Sequence, residues 1–416
     1  MTWAARRLKR KYLLKYKLIK LRGGKSMSEV HPGYRIFVLG AGFSVPAGLP
    51  MASALFKEIR KLIRDNEGAD NRFQRSLDEY IEYREKCDGV TLNEDDVDLE
   101  EFMSFLDIEH FLRLDGSDTL SEHGNAAQLF VKRYIGQIIH ERTPAADALP
   151  QEYYDFAENL SVNDIVITLN YDVILERALD HIGKPYRLFA NRFKSIGKYS
   201  NTVDNSSDEV VILKLHGSLD WFSNKSYVNS VDAFRAQGSN ENPQDSIFNN
   251  NNRYGHYPLV DGPRSKGDPL LHYFRLKNID GFYAKRSQDN VPMILSPSYM
   301  KIVYANPLLD FWHGLGQAGW LNLGVNIIGF SLPEHDDYIR VLLYKIIGNY
   351  QKAEWDADIL GAIKDNVKLV DFKQDAEGIK ELMKRYRFID TDKFETFTEG
   401  FSEEAVKFIF SNKRMT

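Results

Sequence analysis

A short apolar run broken by two glycines sets the first constraint on this chain. Ile36 to Leu39 read as a parallel strand buried on both faces. The chain then turns through Gly40, Ala41 and Gly42 and passes Ser44, Ala47, Gly48 and Pro50 before a helical pattern begins at Met51. A strand that runs through a glycine-rich turn into a helix brings backbone N–H groups close to a pyrophosphate. The match to GxGxxG is incomplete, because Val45 stands at the third glycine position. The same spacing also suits a corner that needs glycines for its geometry alone.

The pattern of strand followed by helix continues along the chain. Helical periodicity runs through Met51 to Ile63, Phe73 to Tyr83, FMSFLDIEHFLRL, Ala126 to His140 and Gln151 to Leu160. This places a helical insertion of about 70–160 after the first strand. The acidic cluster from Glu94 to Glu101 reads as a solvated helix N-terminus rather than a Mg²⁺ site. Further strands are expected at Asp164 to Leu169, Val210 to Leu215, PMILS (292–296), GVNIIGFSL and VKLVDF. Helices are expected at VILERALDHI, Asn306 to Ala318, Tyr338 to Gly348 and from Ala376. Residues 223–292 are polar and turn-rich and read as a loop-rich insertion, and 391–416 as a C-terminal helical tail. The fold class is α/β, a Rossmann-like parallel sheet covered by helices, over 28–390.

Composition narrows the classes of function. Ten of the 54 basic residues lie in residues 1–27 with no acid among them, so the remainder holds 44 basic against 59 acidic residues. An acidic body argues against a broad nucleic-acid surface. The lysines at 15, 17 and 20 deny residues 1–27 the uninterrupted apolar core of a secretory signal. The segment reads as a basic extension upstream of the true start at Met27, with a basic amphipathic arm as the alternative. No apolar run is long enough to cross a bilayer. The single cysteine, Cys87, excludes an internal disulfide and a Cys-rich zinc module, and suits the cytoplasm.

In an open α/β sheet, ligands bind beyond the carboxyl ends of the strands. This sequence places there Gly40-Ala41-Gly42-Phe43-Ser44, Asn170-Tyr171-Asp172, His216-Gly217-Ser218, Gly329-Phe330-Ser331 and Asp371. Small, polar or ionisable residues thus follow each of these apolar runs. A lone histidine in such a place is usually structural. Beside an Asn-x-Asp and two glycine turns, His216 is the natural general base or orienter.

GAGFSVPAGLP at 40–50, TLNYD at 168–172, KLHGSLDW at 214–221 and GFSLPEHDDYIR at 329–340 together resemble the sirtuin superfamily, in a diverged bacterial sirtuin-like branch. The resemblance implies that Gly40, Ala41, Gly42 and Ser44 face the phosphates of NAD. It implies that Asn170 contacts the nicotinamide-side ribose, Asp172 the carboxamide and His216 the ribose hydroxyls. Gly329 and Ser331, with the strand end at Asp371, fall on the adenosine side.

The departures from the deacylases matter as much. Their zinc module is held by two CxxC pairs after the His-Gly strand, an interval that here contains no cysteine, so no metal is expected. Met51-Ala52-Ser53 replace the Phe-Arg that follows the proline of the glycine loop. The resemblance therefore implies an NAD⁺ hydrolase of antiphage defence, with NAD⁺ as substrate rather than cofactor, Asn170 and His216 as catalytic residues, and a regulated homo-oligomer. The alternative is an NAD or ADP-ribose sensor serving a partner, such as a DNA-translocating ATPase encoded alongside, with nucleic acid engaged only indirectly.

Overall fold

The computed structural model describes residues 34–416 apart from 69–70, 115, 117–122, 163, 198–200, 205, 250, 286–289, 318–321, 334–335, 357–361, 413 and 415–416. The basic extension at 1–27 lies outside the described residues. Seven strands form one parallel sheet: β1 (Arg35–Leu39), β2 (Ile165–Thr168), β3 (Tyr186–Arg187), β6 (Val210–Lys214), β10 (Gly324–Ile328), β11 (Val367–Val370) and β12 (Phe394–Phe397). Their spatial order is β12-β11-β10-β1-β2-β6-β3, with each neighbouring pair parallel. Leaving out the two-residue edge strand β3, the order is the doubly wound 3-2-1-4-5-6.

The chain leaves β1 toward β2 and later returns to β10 on the other side. The crevice between β1 and β10 is therefore the topological switch point. Ile36, Phe37, Val38 and Leu39 are fully buried, as a central parallel strand requires. At the foot of β1, Asp164 accepts from the Arg35 backbone N–H at 2.7 Å and pairs with its guanidinium at 3.2 Å.

After α1 (Ala52–Glu67), helices α2 (Arg72–Asp88), α3 (Leu99–Leu112), α4 (Ala126–Arg142) and α5 (Gln151–Asn159) occupy the span of the expected insertion. Phe56, Phe73, Tyr80 and Phe102 pack edge-on or tilted at its centre. The acidic stretch supplies its cap: Asp98 accepts from the Glu101 N–H at the start of α3, and Arg60 and Arg64 pair with Glu94. Three more helices follow strands: α6 (Ile174–Ile182), α8 (Asp337–Lys352) and α9 (Ala376–Arg385). On α8 the buried residues Ile339, Leu342, Leu343, Ile346, Ile347 and Tyr350 fall on one helical stripe.

Four expectations need correction. PMILS is not a sheet strand; it crosses the turn after β6, meeting Gly217 in an isolated antiparallel bridge. Asn306 to Ala318 is not one helix but short turns at Asn306–Leu308, Leu309–Trp312 and Leu315–Gln317, the last set off by Gly314 with its φ of +79°. Residues 223–292 hold α7 (Lys225–Ala236) and, with β7 (Trp221–Ser223), an antiparallel sheet of order β7-β9-β8, where β8 is His256–Pro258 and β9 is Tyr273–Leu276. Residues 391–416 are more than a helical tail: they supply the edge strand β12 before α10 (Glu403–Phe410). Phe401 and Phe410 from this segment pack tilted or edge-on against Phe43, Phe37 and Phe156 beneath the glycine corner. A short hairpin, β4 (Phe193–Ile196) with β5 (Asn201–Val203), completes the strands. Among the described residues, no helix is long and apolar enough to cross a membrane.

Candidate active site at the switch point

The turns after β1 and β10 meet backbone to backbone. Gly40 and Gly42 donate to the carbonyls of Ile328 and Gly329 at 2.9 and 2.8 Å. A Cβ on Gly40 would stand 2.6 Å from the Gly329 oxygen, and one on Gly329 only 2.2 Å from the Phe43 nitrogen. Gly329 also has φ of +64°, a region that side chains avoid. The close approach of the two turns thus accounts for these glycines. The Phe43 and Ser44 N–H groups bond to Gly40 and Ala41 within the turn. Four of the five N–H groups from Gly40 to Ser44 are therefore engaged, so the array expected to face a pyrophosphate is largely spent inside the protein. Instead of entering an α-helix directly, the chain makes two short 3₁₀ turns, Ala41–Phe43 and Val45–Ala47. Tyr153 of α5 fastens them, donating to the Phe43 carbonyl at 2.7 Å and accepting from the Ala47 N–H at 3.1 Å.

Next to this corner, three expected residues converge. The Asn170 amide nitrogen donates to the Gly40 carbonyl at 2.8 Å and to Ser44 Oγ at 3.0 Å, and Ser44 Oγ donates to Asp172 Oδ2 at 2.7 Å. The chain of donors has one polarity. A backbone carbonyl only accepts, so the NH₂ group of Asn170 must face Gly40, and both its hydrogens are used. Its Oδ1 is the atom left for a ligand or a water. The other oxygen of Asp172 accepts from the Ile174 N–H at 3.0 Å, holding the first turn of α6. Lys214 of β6 is buried beneath, bonded to the Asp172 carbonyl and paired with Glu176 at 2.8 Å.

His216 follows β6 and is 6% exposed. Its Nδ1 lies 3.1 Å from the Leu169 carbonyl and its Nε2 lies 2.8 Å from the Tyr338 hydroxyl. Because Leu169 O only accepts, Nδ1 carries the proton and Nε2 accepts from the tyrosine. Burial, with the nearby Lys301 charge, holds the imidazole well below its ordinary pKa, and the Leu169 carbonyl offsets part of this. The ring is neutral, the state a general base requires. Gly217 has φ of +82°, and a Cβ there would meet the Met293 carbonyl at 2.1 Å. PMILS thus presses on the His-Gly turn, with Leu295 N–H bonded to the His216 carbonyl at 2.8 Å.

The remaining expected residues lie further along the edge. The Ser331 carbonyl accepts from Arg385, while Asp371 bonds to the Phe372 N–H and sits 3.6 Å from Lys373. Asp371 Oδ2 is buried without a hydrogen-bond partner. The structure thus gathers Gly40, Gly42 and Gly329 at one point and Ser44, Asn170 and Asp172 at another. His216 stands beside the latter through Leu169. Sequence reasoning assigned no role to Tyr153, Tyr338 or Lys301, although Tyr338 lies within the quoted GFSLPEHDDYIR motif. Its place in the first turn of the helix after β10 was the available signal. A cavity of about 870 Å³ lies elsewhere, lined by residues that include His140, Arg177, Asp220 and Tyr283.

A parallel, doubly wound sheet with polar side chains gathered beyond the carboxyl ends of β1 and β2 defines an α/β protein of Rossmann-like architecture. Within it, residues 164–256 match the family model of the SIR2-like domain, a span that contains Asn170, Asp172, Lys214 and His216. The chain is similar to a sirtuin structure concerned with substrate affinity, at 10% identity over 90% of this chain and 92% of that chain, with a TM-score of 0.31. It is also similar to Sir2Tm bound to a propionylated peptide, at 10% identity over 92% and 94% of the two chains, with a TM-score of 0.31. A search of curated proteins gave no sequence match. A SIR2-like domain is consistent with an NAD-dependent enzyme.

Proposed function

We propose that the protein is an NAD⁺ glycohydrolase that converts NAD⁺ and water to nicotinamide and ADP-ribose, acting in antiphage defence by depleting the nucleotide. The observation that carries this reading is the fixed orientation of Asn170 beside a neutral His216 inside the segment that matches the SIR2-like domain. Cleavage breaks the bond between the ribose C1′ and the nicotinamide nitrogen, and the electron pair leaves with neutral nicotinamide. The ribose becomes oxocarbenium-like, and water attacks C1′ and gives up a proton. The site has to orient, exclude bulk solvent and stabilise developing positive charge. Asn170 Oδ1 accepts from the attacking water or from a ribose hydroxyl, and His216 Nε2 accepts from a ribose hydroxyl. Asp172, held by Ser44, engages the carboxamide.

The engagement of His216 by Tyr338 favours a second reading, in which the same site binds NAD or ADP-ribose without turnover. Incubation of the purified protein with NAD⁺ decides between them. Free nicotinamide and ADP-ribose in equal amounts support the hydrolase. Calorimetric binding of NAD⁺ with no nicotinamide release supports the sensor.

A further inference from the structure

With Nδ1 committed to Leu169, Nε2 is the one nitrogen of His216 that can accept from a substrate hydroxyl. That position is already taken, at 2.8 Å, by the phenol of Tyr338. A tyrosine O–H offers the same donor and acceptor as a ribose O–H, so the side chain stands in for substrate.

The element that carries Tyr338 is fastened from two sides. Lys301, whose side chain is 5% exposed, pairs with Asp336 at 3.0 Å and lies 3.9 Å from Glu100 of α3. Its ammonium sits 5.9 Å above the Tyr338 ring, and the Trp312 ring packs 5.5 Å away on another segment. The chain entering α8 is also strained: Leu332, buried and not a glycine, has φ of +52°. A residue other than glycine held in that region is strained and persists where its surroundings over-determine it. Strain in the connection and clamps at the helix start are the parts of an element with a second position.

We infer that Tyr338 is an internal latch, a substrate-mimicking contact that keeps His216 occupied until the first turn of α8 moves away. This rests on the hydrolase reading for its consequence but not for its geometry. A latch lowers apparent substrate affinity by the fraction of molecules that are open. The Tyr338 hydrogen bond alone, at the usual net strength of a neutral bond, corresponds to about a 2- to 12-fold bias toward the closed form.

The test has two readouts on the full chain: the rate at which His216 is carbethoxylated by diethyl pyrocarbonate, read by peptide mass spectrometry, and nicotinamide release from NAD⁺. Tyr338→Phe removes the hydrogen bond and keeps the ring, while Asp336→Asn loosens the Lys301 clamp and weakens the contact of Asp336 with the Tyr338 hydroxyl, without itself touching His216. Both are expected to modify faster at His216 and, on the hydrolase reading, to raise kcat/KM for NAD⁺ by about 3- to 10-fold. Faster modification with no nicotinamide release from any form upholds the latch and sinks the hydrolase reading. Equal modification rates in wild type and both variants overturn the latch. So does a fall in kcat/KM for Tyr338→Phe, which would make the phenol a working partner of the histidine.

Discussion

At the switch point, Gly40, Gly42 and Gly329 touch through backbone atoms, whereas Ser44, Asn170 and Asp172 on the same edge touch through side-chain hydrogen bonds. Both groups are small or polar residues at strand ends, and in sequence they look alike. Their physical demands differ. The glycines are fixed by the space between two chains, so exchanging them should cost the fold. The polar residues are fixed by donor and acceptor count, so exchanging them should cost the site first.

The comparison breaks most readily at Gly329. An alanine there needs its Cβ within 2.2 Å of backbone, at φ of +64°. Gly329→Ala should lose at least about 3 kcal/mol, seen as a lower urea midpoint or failure to fold. Gly48 is the control: its φ is +90°, but a Cβ would have nothing within 4 Å. Gly48→Ala should cost only about 1–2 kcal/mol from backbone conformation. Similar losses at both positions would show that conformation rather than close packing demands the glycine at 329.

On the polar side, Asn170→Ala and His216→Ala should each lower NAD⁺ cleavage by about 10²- to 10⁴-fold while the far-UV spectrum stays that of the folded protein and the stability read from urea unfolding falls by no more than about 1–3 kcal/mol for the partners left unpaired. Asn170→Asp sharpens the point. It replaces the NH₂ that faces the Gly40 carbonyl with an acceptor, so it should be as inactive as alanine and less stable than it. An active Asn170→Asp variant would remove the orientation argument. Ser44→Ala should be milder. It leaves Asp172 Oδ2 and one Asn170 hydrogen unpaired in a buried place, a loss of about 1–3 kcal/mol by thermal or urea unfolding, with cleavage reduced about 10-fold.

Much of this edge was legible from the chain. Short apolar runs ending in glycine or polar residues fixed the strands β1, β2, β6, β10 and β11 and the positions of Asn170 and His216 at their ends. What was not legible depended on partners distant in sequence. The strands β7, β8 and β9 are three or four residues long, too short for a periodic signal, and are held by packing such as Phe248 against Phe274 and His256. The edge strand β12 hid in a segment whose only clear pattern was the helix after it. PMILS has the composition of a strand, and its antiparallel course over Gly217 follows from backbone bonds of Met293 and Leu295 to His216, Ser218 and Trp221. For the glycines, sequence left two readings open, and the backbone bonds to β10 favour the geometric one. Tyr338 lies 122 residues from His216, a separation no local pattern bridges.

The smallest effect concerns proton linkage at His216, and its sign follows from burial. The ring is held neutral in the folded protein, with its pKa depressed first by desolvation and then by Lys301. Among the described residues, Tyr338 from α8 and Tyr171 after β2 also face it. Unfolded, the same histidine titrates near its ordinary 6.5. Below that pH the unfolded chain binds the extra proton, so the stability linked to His216 is complete above about pH 6.5 and is lost as pH falls. The slope from one such group is at most about 1.4 kcal/mol per pH unit. His216→Asn keeps a donor for the Leu169 carbonyl and cannot titrate. Urea unfolding of both proteins between pH 7.5 and roughly 5 should therefore show a shallower acid decline for the variant, while every other titrating group is common to both and cancels in the difference. The glycine variants that remain folded should keep the wild-type slope, since the backbone contact at the switch point carries no proton. Parallel slopes for wild type and His216→Asn would mean that the ring is hydrated and free of Tyr338 in solution, which would undercut the contrast between a site made of charge and hydrogen bonds and a corner made of space.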